Sequence, residues 1–236
     1  MNLHRKNSLA AGAFYLLTFI SIPTLALYGP VKDANFIVGP GPDTGVLIGV
    51  ILEIIVALAG IGTAIALYPV VKRQNEGFAL GFVGTRVLEA STMFVGVACL
   101  LTVVSLRQAG AGPDALVTGN ALVAMYDRMF LVGQSLMPAM NALLLGTLMY
   151  QSRLVPRVLP LIGLIGAPLL LATDVAVLFG LIGRTSAPAG LGALPIALWE
   201  FSLGVWLFAK GFKPSPILGS DAAGANRSLS PAAADR

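Results

Sequence analysis

The sequence predicts an all-α integral membrane protein, a bundle of six transmembrane helices. Three observations carry that prediction. Of the 236 residues, 56% are hydrophobic and 11% charged, where a soluble domain carries roughly 25% charged residues. The mean hydropathy is +0.85. The apolar residues fall in continuous runs of about 18 or more, long enough for a helix to cross a bilayer. A transmembrane barrel would show alternating segments of about ten residues instead.

The first span is placed at 8–28, behind His4, Arg5 and Lys6. Its apolar run exceeds the roughly 7–15 residues of a cleaved signal, which predicts a retained helix. Pro23 should bend or end it. A polar loop rich in Gly and Pro, about 29–44, is expected to be exposed. The second span, 45–68, carries Glu53 and is closed by Pro69, Lys72 and Arg73. Asn75-Glu76-Gly77 then leads into the third span, 77–106, which holds Arg86 and Glu89 and ends at Arg107. Gly110, Gly112 and Pro113 mark the following turn.

The fourth span is read at 128–150, or as a longer helix beginning before Asp127. The fifth, 158–182, contains Pro160, Pro168 and Asp174, and the sixth, 193–209, contains Glu200. Together these make a membrane domain at 1–213. The segment 214–236 is rich in Ser, Ala, Gly and Pro, the composition of a disordered tail.

Six spans return both termini to one side. Arg5, Lys6, Lys72, Arg73, Arg153, Arg157, Lys210, Lys213, Arg227 and Arg236 lie on that side. Only Lys32, Arg107, Arg128 and Arg184 lie on the other, and Arg86 falls within the membrane, completing the fifteen basic residues. The positive-inside bias makes the termini cytoplasmic.

Composition also narrows the function classes. The net charge is +4, but its basic residues sit at helix ends, which speaks for membrane orientation and against nucleic acid. The single histidine, His4, and single cysteine, Cys99, leave no His-rich or Cys-rich motif for a metal or haem. No cofactor is expected. No nucleophile elbow or P-loop is present, so an enzyme is not expected either. The partner the sequence demands is the lipid bilayer.

The charged residues left inside the spans are the candidate site, because ionisable groups in a membrane are expensive and face the bundle interior or a water-filled cavity. Helix rise puts Arg86 about 12 Å and Glu89 about 16 Å from the terminal-side face of a core about 30 Å thick. The same arithmetic puts Glu53 and Glu200 about 10 Å below the opposite face, so all four are expected to converge. Asp174 is placed nearer that opposite face. Asp127, Gln134 and Asn141 recur every seven residues, which keeps them on one helix face, and Pro138 beside them frees a backbone carbonyl. Tyr15 and Thr18 either face the cluster or bond locally.

Two readings of the cluster follow. Arg86 and Glu89 stand three apart on one helix and can pair there. With Glu53 and Glu200 added they could form only an interhelical clamp, in a structural or regulatory membrane component. Alternatively, three glutamates against one arginine leave acid in surplus, as in a polar cavity that binds or moves a proton or small polar solute.

The stretch Asn75-Glu76-Gly77, then Arg86-Val87-Leu88-Glu89-Ala90, with Trp199-Glu200, Leu203-Gly204-Val205-Trp206-Leu207 and Lys210-Gly211-Phe212, resembles the bacterial membrane proteins grouped as domain-of-unknown-function family 4386. The resemblance runs from about Arg5 to Phe212. It implies a six-span protein of the bacterial inner membrane and supplies no activity. Its charged signature falls on Asn75, Glu76, Arg86, Glu89 and Glu200.

Overall fold

The computed structural model describes residues 3–219. Among them are no strands, and six helices are long and apolar enough to cross a membrane. Helix α1 (Leu3–Leu17) and the short α2 (Thr24–Leu27) together form the first span. They are joined by a 3₁₀ turn at Thr18–Ser21. Thr18, Ser21 and Thr24 each donate a hydroxyl bond to the carbonyl three residues back. Such back-bonding competes with the α ladder, and Pro23 supplies no N–H to restore it.

Helix α3 (Thr44–Val71) is the second span and α4 (Glu76–Gln108) the third. Asn75 caps α4, its Oδ1 accepting from Phe78 N at 3.0 Å. Glu76 in the first turn and Arg107 in the last complement the helix dipole. The fourth span is one continuous helical stretch, Pro113–Ser152, in which a π-helical segment, Leu131–Leu136, joins α5 (Leu116–Phe130) to α6 (Met137–Ser152). Pro138 explains the π segment: its ring cannot follow an ordinary turn, and one widened turn relieves the clash. Of the two expected readings, a start near 128 and a longer helix beginning before Asp127, the structure has the second.

Helix α7 (Val158–Leu178) ends four residues earlier than expected. Gly180 adopts φ +71°, and Leu181 N bonds back to Ala176 O, a glycine stop. Helix α8 (Ala187–Ala209) starts earlier than the expected 193, with Ser186 extended before it and Pro188 in its first turn.

The spans close a ring in chain order. Helix α1 packs on α3, α3 on α4, α4 on α5 and α6, α6 on α7, α7 on α8, and α8 back on α1. At the α1–α8 crossing, Gly12 lies against the backbone of Gly204 and Phe208, and Gly204 against Tyr15. Arg5 donates to the carbonyls of Leu207, Phe208 and Ala209, tying the start of the first span to the end of the last. Below the charged cluster, on the terminal side, Leu67, Phe82, Leu145, Leu148, Met149 and Leu203 are fully buried in one apolar core.

The loop after the first span is exposed along most of its length, as expected, but it is anchored by three buried apolar residues. Val31, Phe36 and Ile37 are buried in a second core with Val46, Leu100, Val103 and Ala115. Arg107 pins it, bonding Asp43 at 3.0 Å and the carbonyls of Gly39 and Gly41, with Phe36 stacked on its guanidinium at 4.4 Å. This cap exists because α4, at 33 residues, is about 50 Å long and outruns a hydrocarbon core of about 30 Å.

The tail expected from 214 falls mostly on 220–236, outside the described residues. Its first residues dock instead of hanging free: Ser215 donates to Ser152 O at 2.6 Å, and Ile217 and Leu218 pack on the main core.

Candidate functional site

The site is built on α4, whose positions 85, 86 and 89 occupy one face. Arg86 Nη1 pairs with Glu89 Oε2 at 3.0 Å on its own helix, and Nη2 pairs with Glu200 Oε1 of α8 at 2.6 Å. Asn141 of α6 donates from Nδ2 to Glu89 Oε2 at 2.8 Å, and its Oδ1 accepts from Thr85. The arginine is also sandwiched, with Tyr15 at 5.2 Å and Phe82 at 5.7 Å from its guanidinium carbon. Three spans therefore fix one guanidinium, whose planar fork suits two carboxylates at once.

Burial within this cluster is uneven. The Arg86 side chain is 2% exposed, and those of Glu89 and Glu200 are each 13% exposed. The carboxylates face a cavity of about 740 Å³, with Arg86 set at its floor. Glu89 Oε1 and Glu200 Oε2 accept no hydrogen bond from the described residues, and neither is among the sealed, unpartnered atoms. These two oxygens are what the site offers a ligand. Arg86 Nε is buried without a partner among the described residues.

Above the floor the walls are mostly apolar, including Phe19, Val56, Met93, Phe130, Leu170 and Ile196. Gln134 and Ser135, displayed by the π segment, and Asp174 of α7 add polarity. Ser135 donates to Asp174 Oδ1 at 2.5 Å, while Asp174 Oδ2 is buried without a partner. Arg184 reaches the cavity from the loop before α8. It also pairs with Asp127 at 2.9 Å, and so does Lys32 at the same distance. The seven-residue stripe thus runs from Asp127 at the outer rim, through Gln134 on the wall, to Asn141 beside the floor.

Glu53 does not join the cluster, which corrects the expected convergence of four residues. It is 1% exposed and bonded by Tyr126 hydroxyl at 2.8 Å, with Tyr28 and Gln134 also against it. Tyr28 and Tyr126 meet edge to face at 5.4 Å. Tyr126 packs on Gly96 of α4, seven residues beyond Glu89 and so about 10 Å further out. A small apolar cluster of Ala57, Ala90 and Met93 lies between the two polar groups. Helix α3, at 28 residues, is about 42 Å long and exceeds a hydrocarbon core of about 30 Å, so a count from its first residue does not give a depth in the membrane.

Asn75 and Glu76 also stand apart from the site. Asn75 is the α4 cap, and Glu76 accepts from Tyr68 hydroxyl at 3.4 Å at the terminal end. Tyr15 faces the cluster at the Arg86 guanidinium, and Thr18 both bonds locally to Tyr15 O at 2.7 Å and lines the cavity. Thr85, Ser135, Tyr28, Tyr126 and Arg184 are partners that the sequence did not single out. Thr85 lay beside the highlighted Arg86 and Tyr126 one residue off the stripe, the nearest thing to a signal for them.

Among the described residues, no group of three or more acidic, histidine or cysteine side chains is placed to hold a metal. No curated protein and no solved structure gives a significant match to the chain. A family model does match, over residues 10–211, which covers the first span from residue 10, the other five spans in full and the whole charged cluster. The chain is a multi-pass membrane protein that belongs to the family described as "Domain of unknown function (DUF4386)".

Proposed function

We propose that the cavity binds a small polar solute bearing hydrogen-bond donors, a cation above all, in a protein of the bacterial cytoplasmic membrane. The observation that supports this reading is the pair of unbonded oxygens, Glu89 Oε1 and Glu200 Oε2, presented to a cavity of about 740 Å³. Pockets for small organic ligands span roughly 300–1,000 Å³ and combine apolar walls with a few placed polar groups. Arg86 cancels one of the two carboxylate charges, so a cationic ligand completes the balance. A proton can take the same place when the ligand leaves, which makes the pair a candidate exchange site.

The bias of basic residues toward the terminal side puts the cavity on the non-cytoplasmic side. Passage across the membrane then requires the apolar layer of Phe82, Leu145 and Leu203 to open, an alternating-access step. The second reading, a structural clamp, draws on the same bonds: both Arg86 Nη atoms are already occupied, and Thr85 and Asn141 brace Glu89.

Flux separates the two. Wild type, Glu89→Gln and Glu200→Gln are reconstituted into vesicles, and proton movement and methylammonium uptake are followed beside thermal stability. The proposal expects uptake by wild type that is lost in folded variants. A wild type without uptake, with variants that only unfold more easily, would leave the clamp.

A further inference from the structure

We infer that the cavity opens sideways into the bilayer between the first and sixth spans, and that its ligand is a single-chain amphiphile with a cationic head. This rests on the binding-site reading above and names its ligand class. On the terminal side α1 and α8 are in backbone contact at Gly12 and Gly204. Beyond Leu17 they diverge. The 3₁₀ turn and α2 lean on α3, because the hydroxyl back-bonds and Pro23 redirect the chain. The outer half of α8 is held instead against α7, with Gly192 on Thr173 and Gly166 on Pro195. Phe19 and Phe201, edge to face at 5.3 Å, form the sill where the two helices part.

Above that sill the cavity is lined on one side by Phe19, Ile22 and Leu25 and on the other by Ala189, Gly190 and Ala193. The outer faces beside the gap are Ile22, Leu25, Leu194 and Leu198, all exposed. They are the apolar surface that hydrocarbon covers. A water-soluble ligand has no use for such a rim, whereas an alkyl tail fits it. From Gly190 to Glu200 is ten residues of α8, about 15 Å, so a head at the carboxylates leaves a tail lying through the gap. The two free carboxylate oxygens at the floor, Glu89 Oε1 and Glu200 Oε2, accept a cationic head. A carboxylate head would meet Glu89 and Glu200 with like charge.

The test uses the full chain in lipid nanodiscs and a dodecylamine carrying a photoreactive diazirine in its tail, with labelled peptides mapped by mass spectrometry. Labelling is expected in 19–25 and 189–197, competed by excess dodecylamine and not by dodecanoate. It should fall about tenfold in Glu89→Gln and Glu200→Gln, the loss of one charge-assisted bond, and by a similar factor of about ten in Gly190→Trp. A Cβ at Gly190 meets nothing within 4 Å, so the added side chain starts from open space beside the gap, and an unfolding curve for the variant checks that the fold is kept. If labelling depends on the glutamates but not on Gly190→Trp, and butylamine competes as well as dodecylamine, the lateral opening is wrong and the solute site stands. Labelling spread over the lipid-facing surface and indifferent to every variant overturns both. Equal competition by dodecanoate overturns the cationic head.

Discussion

Glu200 Oε1 lies 2.6 Å from Arg86 Nη2, across the bundle from α8 to α4. The helices that carry these residues are not neighbours in the ring, so the pair spans its interior and joins α4, which packs on α3, α5 and α6, to α8, which packs mainly on α1 and α7. The two acids and the arginine depend on one another for charge balance in a site that water reaches only through the cavity.

Removing the arginine alone should therefore cost far more than removing the cluster. Arg86→Met leaves two carboxylates against each other and is expected to destabilise by roughly 3 kcal/mol, the scale of a broken buried pair. The triple variant Arg86→Met, Glu89→Gln, Glu200→Gln carries no charge there and should recover most of that loss. Denaturant unfolding in detergent micelles measures both. Equal destabilisation of the single and triple variants would refute the charge-balance account.

Glu53 provides a contrast, because its carboxylate belongs to Tyr126 and Tyr28 rather than to Arg86. Glu53→Gln and Glu89→Gln have no shared charged partner, and the Ala57, Ala90 and Met93 cluster lies between them. Their effects on stability should add within about 0.5 kcal/mol in a double-mutant cycle. A larger coupling energy would mean that the two polar groups act as one through Gln134.

How far the sequence reached depends on which helix is considered. The six spans were legible because apolar length alone decides them, and Arg86, Glu89 and Glu200 because charge in such spans has few places to go. Glu53 was misplaced for a reason that hydropathy cannot reveal. Helices α3 and α4, at 28 and 33 residues, are longer than a hydrocarbon core of about 30 Å, and their outer ends pack with the loop in a second core, the cap, so a count from the helix start does not give depth in lipid. Phe36 and Ile37, read as loop residues, are the apolar floor of that cap. The gap beside Phe19 was not legible either. Pro23 announced a bend, but its direction comes from packing between α2 and α3, which has no local signature.

The cap rests on Arg107, which holds Asp43 and two loop carbonyls while stacking on Phe36. Arg107→Ala should release the loop 33–43 without unfolding the spans. Limited proteolysis is expected to cut the variant in that loop, roughly tenfold faster than wild type, if a loss of about 1.4 kcal/mol of local stability is reached. The unfolding midpoint of the bundle should move little. Cleavage at the wild-type rate would show that the buried Val31, Phe36 and Ile37 hold the loop unaided.

Gly12 offers the sharpest test of the ring. An added Cβ there would run into the backbone of Gly204 and Phe208, and backbone cannot swing aside as a side chain can. Gly12→Ala must therefore push α1 from α8. Small residues let membrane helices approach closely, and van der Waals packing is much of what holds them. The displaced helix also carries Tyr15 off the Arg86 guanidinium. The variant should lose about 2 kcal/mol or more of stability, in the range of overpacked cores. Gly190→Ala, where nothing lies within 4 Å, should lose nothing and gains helix propensity. Unfolding curves for the two alanine variants, read side by side, check the contrast. A harmless Gly12→Ala would mean that α1 and α8 do not meet at this crossing, and the closed ring would fall with it.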